Sequence, residues 1–488
     1  MAYSHLKSGT DIRGFASDLG GNEIQLTNKC IYDISAAFVV WSVNKLSKAS
    51  SDLKISLGHD SRITAERICK NVKSALINAG VTVIDCGLSS TPAMFMTTID
   101  LDCDAAIQIT ASHHPFDRNG LKFFLKSGGL EGSQIKEILD LANDETEIIS
   151  EVKGKIVEKA YMQDYAKHLR DMIINAAGKG DKPLKDYHIV VDAGNGAGGF
   201  YATEVLEPLG ADISGSQFLK PDGMFPNHIP NPENKEAMES ICNAVKRYKA
   251  ELGVIFDTDV DRAGCVDSSG VEINRNRLVA LASYIALKDS KNATVVTDSV
   301  TSDGLREYIE NHLGGKHYRY RRGYKNVIDK AIELCEEGIN TPLAIETSGH
   351  AALKENYFLD DGAYLVTKII IELAKGIDLN EVLKPLKMPL EERELRINIK
   401  TENFKEYGEN VIKELEKFVL NNPNYKIADD NREGLRVSDK NGWFLLRLSV
   451  HDPVMPLNLE SDVVGGIDKN LEILYPFFES FEFLEFKK

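Results

Sequence analysis

Three aspartates, Asp257, Asp259 and Asp261, alternate through LGVIFDTDVDRAG, directly after an apolar run. In extended chain that two-residue spacing turns all three carboxylates to one face. Like charges held together are costly unless a cation binds them. Oxygen ligands suit a hard divalent ion, Mg²⁺ or Ca²⁺. An EF-hand loop is excluded, because its sixth position would be Arg262 rather than glycine and its twelfth Ser268 rather than glutamate. The alternative is a solvated acidic turn.

A second stretch, ITASHHPFDRNGLK, places Ser112 just past a strand-like run, where α/β sheets put their ligands. Adjacent histidines point in different directions and no H-E-x-x-H occurs, so zinc fits poorly. The hydrolase elbow needs G-x-S-x-G, and this is T-A-S-H-H. What remains is a serine that carries or contacts a phosphate, with His113 and Lys122 as nearby donors. A neighbouring dianion would favour protonated His113, which makes it a phosphate donor rather than a general base. The alternative is a capped turn with ordinary surface histidines.

Gly194, Gly196 and Gly199 in VVDAGNGAGG match the dinucleotide pattern G-x-G-x-x-G. The acid expected at the end of the next strand is absent, since Asp212 starts that strand and Asp222 lies beyond it. The glycines are therefore read as a tight strand-to-helix turn. LAIETSGH gathers Glu346, Ser348, Gly349 and His350, a set suited to sugar hydroxyls and equally to an ordinary loop. Arg13, Lys122, Arg262, the run Arg319, Arg321, Arg322 and Lys325, and Arg447 could form a local anion site.

Elements must hold these groups. LKISLGHDSR, VTVIDCG, YHIVVDAG and ATVVTDSV read as buried strands, each joined to a helical pattern. Alternating strands and helices imply α/β units with parallel strands and helices on both faces. The last hundred residues differ: a strand, a long amphipathic helix, and a hairpin signalled by Asn441-Gly442. Boundaries fall near Val157, Gly270 and Leu390. The net charge of −16 argues against nucleic-acid or anionic-membrane binding. Seven scattered cysteines without a C-x-x-C pair suit a reducing cytoplasm, and no apolar run reaches membrane-spanning length.

In this order the segments resemble the α-D-phosphohexomutase family, the phosphoglucomutase/phosphomannomutase enzymes. TASHHPFDRNGLK is similar to its phosphoserine loop, DTDVDR to its metal loop and ETSGH to its sugar loop. GTDIRG and FPNHIPNP are also similar to family segments. The resemblance implies three similar α/β domains with mixed, mainly parallel sheets (1–157, 158–270, 271–390) and a smaller C-terminal α+β domain (391–488), around a central cleft. It implies phosphorylation of Ser112, and Mg²⁺ held by Asp257, Asp259, Asp261 and a phosphate oxygen on Ser112. Arg13, Lys122 and Arg262 would stabilise the group in flight. Glu346, Ser348 and His350 would hold the sugar, with Gly323, Tyr324 and Lys325 on its other side. Arg447 and Ser449 would hold the second phosphate.

The implied reaction interconverts hexose 1-phosphate and hexose 6-phosphate, of glucose or mannose, through a hexose 1,6-bisphosphate. Three departures stand out: Val450 and His451 in RLSVHDP, a lysine missing from TDSVTSDG, and Ile345 where a glycine is usual. Rival readings are a haloacid-dehalogenase-like phosphatase using Asp257, an NAD-linked oxidoreductase, and a non-catalytic sugar-phosphate-binding protein.

Overall fold

The strand Ala105–Ile109 is buried along its whole length. It runs parallel to Lys54–His59 and antiparallel to Arg118–Leu125. Burial on both faces explains why these strands read as near-continuous apolar runs. The computed structural model describes residues 3–449 and 452–486. In it this mixed sheet extends through Thr82–Leu88 and Ile156–Glu158 on one side and through Asp11–Phe15 on the other. Helices Asn28–Leu46, Ala65–Asn78 and Gly132–Asn143 close one core around Ile34, Phe38, Leu57, Val72, Ile107 and Phe123. Helix Thr91–Asp100 packs against Ala105–Ile109 and starts with Ser90, whose side chain accepts from the Ala93 amide.

Contacts group the chain into two units. The first comprises residues 1–274, 348–352 and 359–379; the second comprises 275–347, 353–358 and 380–488. In the first unit a smaller sheet pairs Ile189–Asp192 in parallel with Leu252–Phe256, which pairs antiparallel with Ala263–Asp267. Helix Lys235–Tyr248 packs on this sheet through Met238, Ile241 and Val245. Helix Gly362–Ala374, distant in sequence, packs on Ala263–Asp267 and on helix Tyr161–Ala177. The glycine turn is structural. A Cβ at Gly196 would lie 2.5 Å from the Thr258 carbonyl oxygen, and the Ala197 amide donates to that same oxygen at 2.8 Å. The expected α-helix after it is instead a wide π-type segment, Tyr201–Leu206, cut off where Pro208 offers no amide hydrogen.

In the second unit Thr294–Asp298 lies parallel to Lys316–Tyr320 and to Leu343–Ile345. The C-terminal part is a six-stranded antiparallel sheet with helices Phe404–Leu420 and Gly466–Glu479 packed on it. The hairpin forms between Leu435–Ser438 and Gly442–Leu446, but its turn is not an Asn-Gly turn. Asp439 donates its amide to the Gly442 carbonyl and accepts from the Asn441 and Gly442 amides. Gly442 is already strand, and a Cβ there would sit 2.0 Å from the Glu460 carbonyl oxygen. Close approach, not a positive φ, requires this glycine.

Glu460 is 6% exposed and accepts from the Trp443 indole N–H at 2.8 Å. Burial pushes its carboxyl from 4.5 up to about 8, against the pull of Arg436. The folded chain thus holds this proton more tightly than the unfolded one. That stability is fully present below about pH 4 and is lost as pH rises through 8. At ~1.4 kcal/mol per pKa unit the effect is a few kcal/mol at most. Glu460→Gln should therefore raise the unfolding temperature of the second unit by about 5 °C at pH 8.5 and change it little at pH 5. Calorimetry at the two pH values checks this; equal shifts at both would contradict it.

Candidate active site

Ser112 follows strand Ala105–Ile109 by three residues and takes a left-handed backbone, φ 51°. Its Oγ is 3.2 Å from Asp257 Oδ2, 3.3 Å from Arg262 Nη2 and 3.3 Å from His113 Nδ1. The serine and the aspartate loop, read separately from the sequence, thus meet within hydrogen-bond reach.

The three carboxylates converge, but not as extended strand. The strand ends at Phe256, and Asp257–Asp261 form a tight loop in which Val260 holds φ 68°, a strained value for a β-branched residue. Oxygens of Asp257, Asp259 and Asp261 lie within 4.8 Å of one another, all buried. Lys122 Nζ lies 3.1 Å from Asp259 Oδ2 and 2.5 Å from Asp261 Oδ2. Arg262 Nε lies 3.1 Å from Asp257 Oδ2. Lys122 and Arg262 thus face the three clustered carboxylates. Burial, then Asp261 and Asp259, pushes Asp257 well above the carboxylate range. Burial also opposes ionisation of Asp261, but Lys122, His350 and Arg262 outweigh it and hold that group well below its usual value. Oδ1 of Asp259 and Oδ1 of Asp261 are buried without a hydrogen-bond partner among the described residues. Such oxygens, on three converging carboxylates, fit a hard divalent cation.

Arg262 is 2% exposed and is gripped on several sides. Nη1 donates to Asn231 Oδ1 at 3.2 Å, and Nη2 donates to His113 Nδ1 at 2.6 Å. That last bond makes His113 Nδ1 an acceptor. Burial first, then the charges of Arg262, His114 and Arg13, bring its pKa down to about 2. The neutral ring accepts at Nδ1, which leaves Nε2 to carry the hydrogen. Arg13 lies opposite Gly120 in the neighbouring strand and pairs with Asp11 at 2.7 Å.

His350 is placed with the aspartates rather than with Glu346. It bridges to Arg262 through the backbone, and its Nδ1 bonds Asp360. Burial would lower its pKa, but Asp360 reverses this and raises it to about 9. Ser348 belongs to the same unit. Gly349 there has φ 94°, and a Cβ would meet the Ala263 carbonyl oxygen at 2.6 Å.

The second unit holds the rest. Gly323, with φ 117°, precedes helix Tyr324–Glu336, and its amide donates to Glu346 Oε1 at 2.6 Å. Lys325 pairs with Asp329 one turn on. Arg322 Nε is 3.8 Å from Asp298 Oδ2, and its amide donates to Glu433. Arg447 Nε is buried without a hydrogen-bond partner among the described residues. Burial, then Arg322, depresses the Arg447 pKa, against the pull of Glu433, Glu394 and Asp298. Ser449 Oγ accepts from the Asp452 amide. Val450 and His451 lie outside the described residues.

Sequence reasoning missed Thr91, whose hydroxyl donates to Asp259 Oδ2 and whose amide donates to the Asp259 carbonyl. It named FPNHIPNP but gave its Asn231 no role, and gave none to Asp298 or Glu433; each acts on a partner far along the chain.

Most of the chain matches known proteins. The phosphoglucomutase/phosphomannomutase alpha/beta/alpha domain I matches residues 8–148, domain II residues 163–270 and domain III residues 274–388. A phosphomannomutase/phosphoglucomutase of Pseudomonas syringae pv. tomato is 30% identical over 464 residues, covering 94% of this chain and 92% of that protein. A phosphoglucomutase of Neisseria gonorrhoeae is 28% identical over 446 residues, covering 91% and 92%. The crystal structure of a phosphoglucomutase/phosphomannomutase family protein from Burkholderia thailandensis superposes with a TM-score of 0.80 at 25% identity, covering 97% of each chain.

Proposed function

The chain belongs to the phosphoglucomutase/phosphomannomutase family, and we propose that it interconverts hexose 1-phosphate and hexose 6-phosphate, of glucose or mannose, through a phosphoserine at Ser112 and a hexose 1,6-bisphosphate. The observation that carries this reading is the Ser112 hydroxyl set between Asp257, Arg262 and His113.

In the first half-reaction a sugar hydroxyl oxygen bonds to phosphorus as the bond from phosphorus to Ser112 Oγ breaks, and the hydroxyl proton ends on Oγ. In the second, Oγ bonds to the phosphorus of the other phosphate as its bond to the sugar oxygen breaks, and the proton returns to that sugar oxygen. Arg262 and Lys122 stand where charge spreads over the transferring group, with Arg13 as a further cation. His113 offers a neutral Nε2 hydrogen. Asp257, Asp259 and Asp261 would hold Mg²⁺, which when bound supplies Lewis-acid stabilisation of the phosphoryl oxygens. Glu346 and Ser348 accept from sugar hydroxyls, with Gly323, Tyr324 and Lys325 as a further reading loop. His350, paired with Asp360, supports the aspartate loop more than it reads the sugar. The bisphosphate formed must turn over before the second phosphate returns to Ser112.

Arg447 and Ser449 are proposed to hold the phosphate that is not transferred. The unsatisfied Nε of Arg447 supports this. A charge-assisted hydrogen bond is worth about 1.5–3 kcal/mol. Arg447→Ala should therefore raise KM about 10–100-fold with a smaller loss in kcat; an unchanged KM in folded protein contradicts the role.

Asp257 is a poor candidate for the nucleophile of a dehalogenase-type phosphatase. It is fully buried, its Oδ1 and Oδ2 both accept from Arg262, and that reading leaves Ser112 unexplained. The glycine turn is filled by the Thr258 backbone, where a dinucleotide site would need room for pyrophosphate. The four domains at 1–157, 158–270, 271–390 and 391–488 remain our division of the chain. The net charge of −16 argues against nucleic acid or an anionic membrane as partner, and small sugar phosphates are bound through the local cluster of Arg and Lys. All seven cysteines are free thiols, which supports a cytoplasmic setting. No helix among the described residues is long and apolar enough to cross a membrane.

A mutase assay with glucose, mannose and N-acetylglucosamine 1-phosphates, each with a trace of its 1,6-bisphosphate, tests the reading. Turnover of a hexose phosphate is expected; inertness toward all of them overturns it and leaves a binding protein.

A further inference from the structure

The segment Gly-His-Asp-Ser-Arg, residues 58–62, leaves the central strand of the first sheet and carries none of the proposed chemistry. Its arginine is nonetheless 2% exposed. Arg62 Nη1 donates to the carbonyls of Pro115 at 2.7 Å and Arg118 at 2.8 Å. Its Nη2 donates to the carbonyls of His114 at 2.6 Å and of Ser112 itself. One guanidinium thus gathers four carbonyls of the serine loop, and the Phe225 ring covers it at 5.2 Å.

Asp60, fully buried, anchors the arrangement. It lies 3.3 Å from Arg62 Nε and accepts from the Arg62 amide at 2.9 Å. Its Oδ2 also accepts from the Thr110 hydroxyl at 2.7 Å, and Thr110 Oγ1 in turn accepts from the Ser112 amide at 2.9 Å. The N–H and the C=O of Ser112 are therefore each held by a side chain fastened to the same carboxylate.

We propose that Asp60, Arg62 and Thr110 are positioning residues that lock Ser112 in its left-handed backbone and so fix the place of Oγ for phosphoryl transfer. A non-glycine residue at φ 51° persists only where its surroundings over-determine it. Four carbonyl dipoles brought together repel one another unless a cation lies among them. The guanidinium fork can donate to four acceptors in two directions, whereas an ammonium has three donors on one nitrogen. The inference rests on Ser112 as the phosphoryl carrier.

The test uses the full chain with Arg62→Lys and Thr110→Val. Phosphoryl uptake from glucose 1,6-bisphosphate is followed by intact mass, turnover is resolved into kcat and KM, and amide exchange is read for residues 110–118. Misplacement of a reacting atom by about 1 Å can cost on the order of 100-fold. Each variant should therefore lose about that factor in kcat and in uptake rate, keep KM within about threefold, and exchange faster in 110–118 but not in Ile189–Asp192. A residue that matters only for folding would lower the amount of folded protein and leave the rate per folded molecule unchanged, which overturns the proposal. Faster exchange with wild-type uptake overturns it as well. If Arg62→Lys does not fold, Thr110→Val decides by the same criteria. If the wild-type chain takes up no phosphate, the mutase reading fails, and the exchange arm still decides whether Arg62 and Thr110 hold the loop.

Discussion

Ser112→Ala should lose on the order of 10⁴-fold or more in mutase turnover while keeping its fold and its affinity for sugar phosphate. The expectation follows from where the hydroxyl lies. Ser112 is 5% exposed, and its Oγ, the proposed carrier of the phosphoryl group, lies within hydrogen-bond reach of Asp257, Arg262 and His113. Removing it deletes the bond-forming atom and leaves every cation in place, so binding survives while transfer stops. The substitution costs little stability, because Thr110 and the loop's other contacts hold the backbone rather than the hydroxyl. Intact-mass analysis of the active wild-type protein should find one phosphate, and peptide mapping should place it on Ser112. A phosphate on Asp257, or normal turnover by Ser112→Ala, would sink the mechanism.

The second large effect separates activity from stability. Asp259→Asn keeps the side-chain shape and removes one of three clustered charges. Lys122 retains Asp261 as its partner at 2.5 Å. Without added metal the variant should be at least as stable as the parent, because repulsion falls. With Mg²⁺ at 100 times its Kd the parent should gain about 2.7 kcal/mol, and the variant far less. Turnover should fall on the order of 10²–10³-fold. Thermal unfolding with and without Mg²⁺ reads the binding independently of the assay. Full activity of Asp259→Asn in the presence of a chelator would remove the metal from the account.

The groups that carry chemistry were legible because their types are unusual in their setting: three acids after an apolar strand, and a serine with paired histidines. What positions them was not. Thr91 meets Asp259 from 168 residues away in sequence, and nothing in TPAMF announces it. The aspartates converge because Val260 bends the loop, whereas an alternating pattern suggests extended chain. His113 accepts at Nδ1 from Arg262, 149 residues away in sequence, a partner that the paired histidines do not announce. Helix Gly362–Ala374 follows the third set of strands in sequence and packs with the first unit, an association that local periodicity cannot express.

The contact between Gly196 and the Thr258 carbonyl has a further consequence. Thr258 sits between the first two aspartates, and the backbone behind it leaves no room to retreat. From the other side Thr91 fastens Asp259 by both main chain and side chain. The ring of oxygens therefore has a fixed aperture: dilating it would mean moving a strand-to-helix turn and a helix start together. Calcium needs oxygens at about 2.3–2.6 Å and more of them, whereas magnesium takes about 2.0–2.1 Å. A mouth held in this way would favour the smaller ion when a divalent cation binds, through main-chain packing behind the carboxylates as well as through the carboxylates themselves.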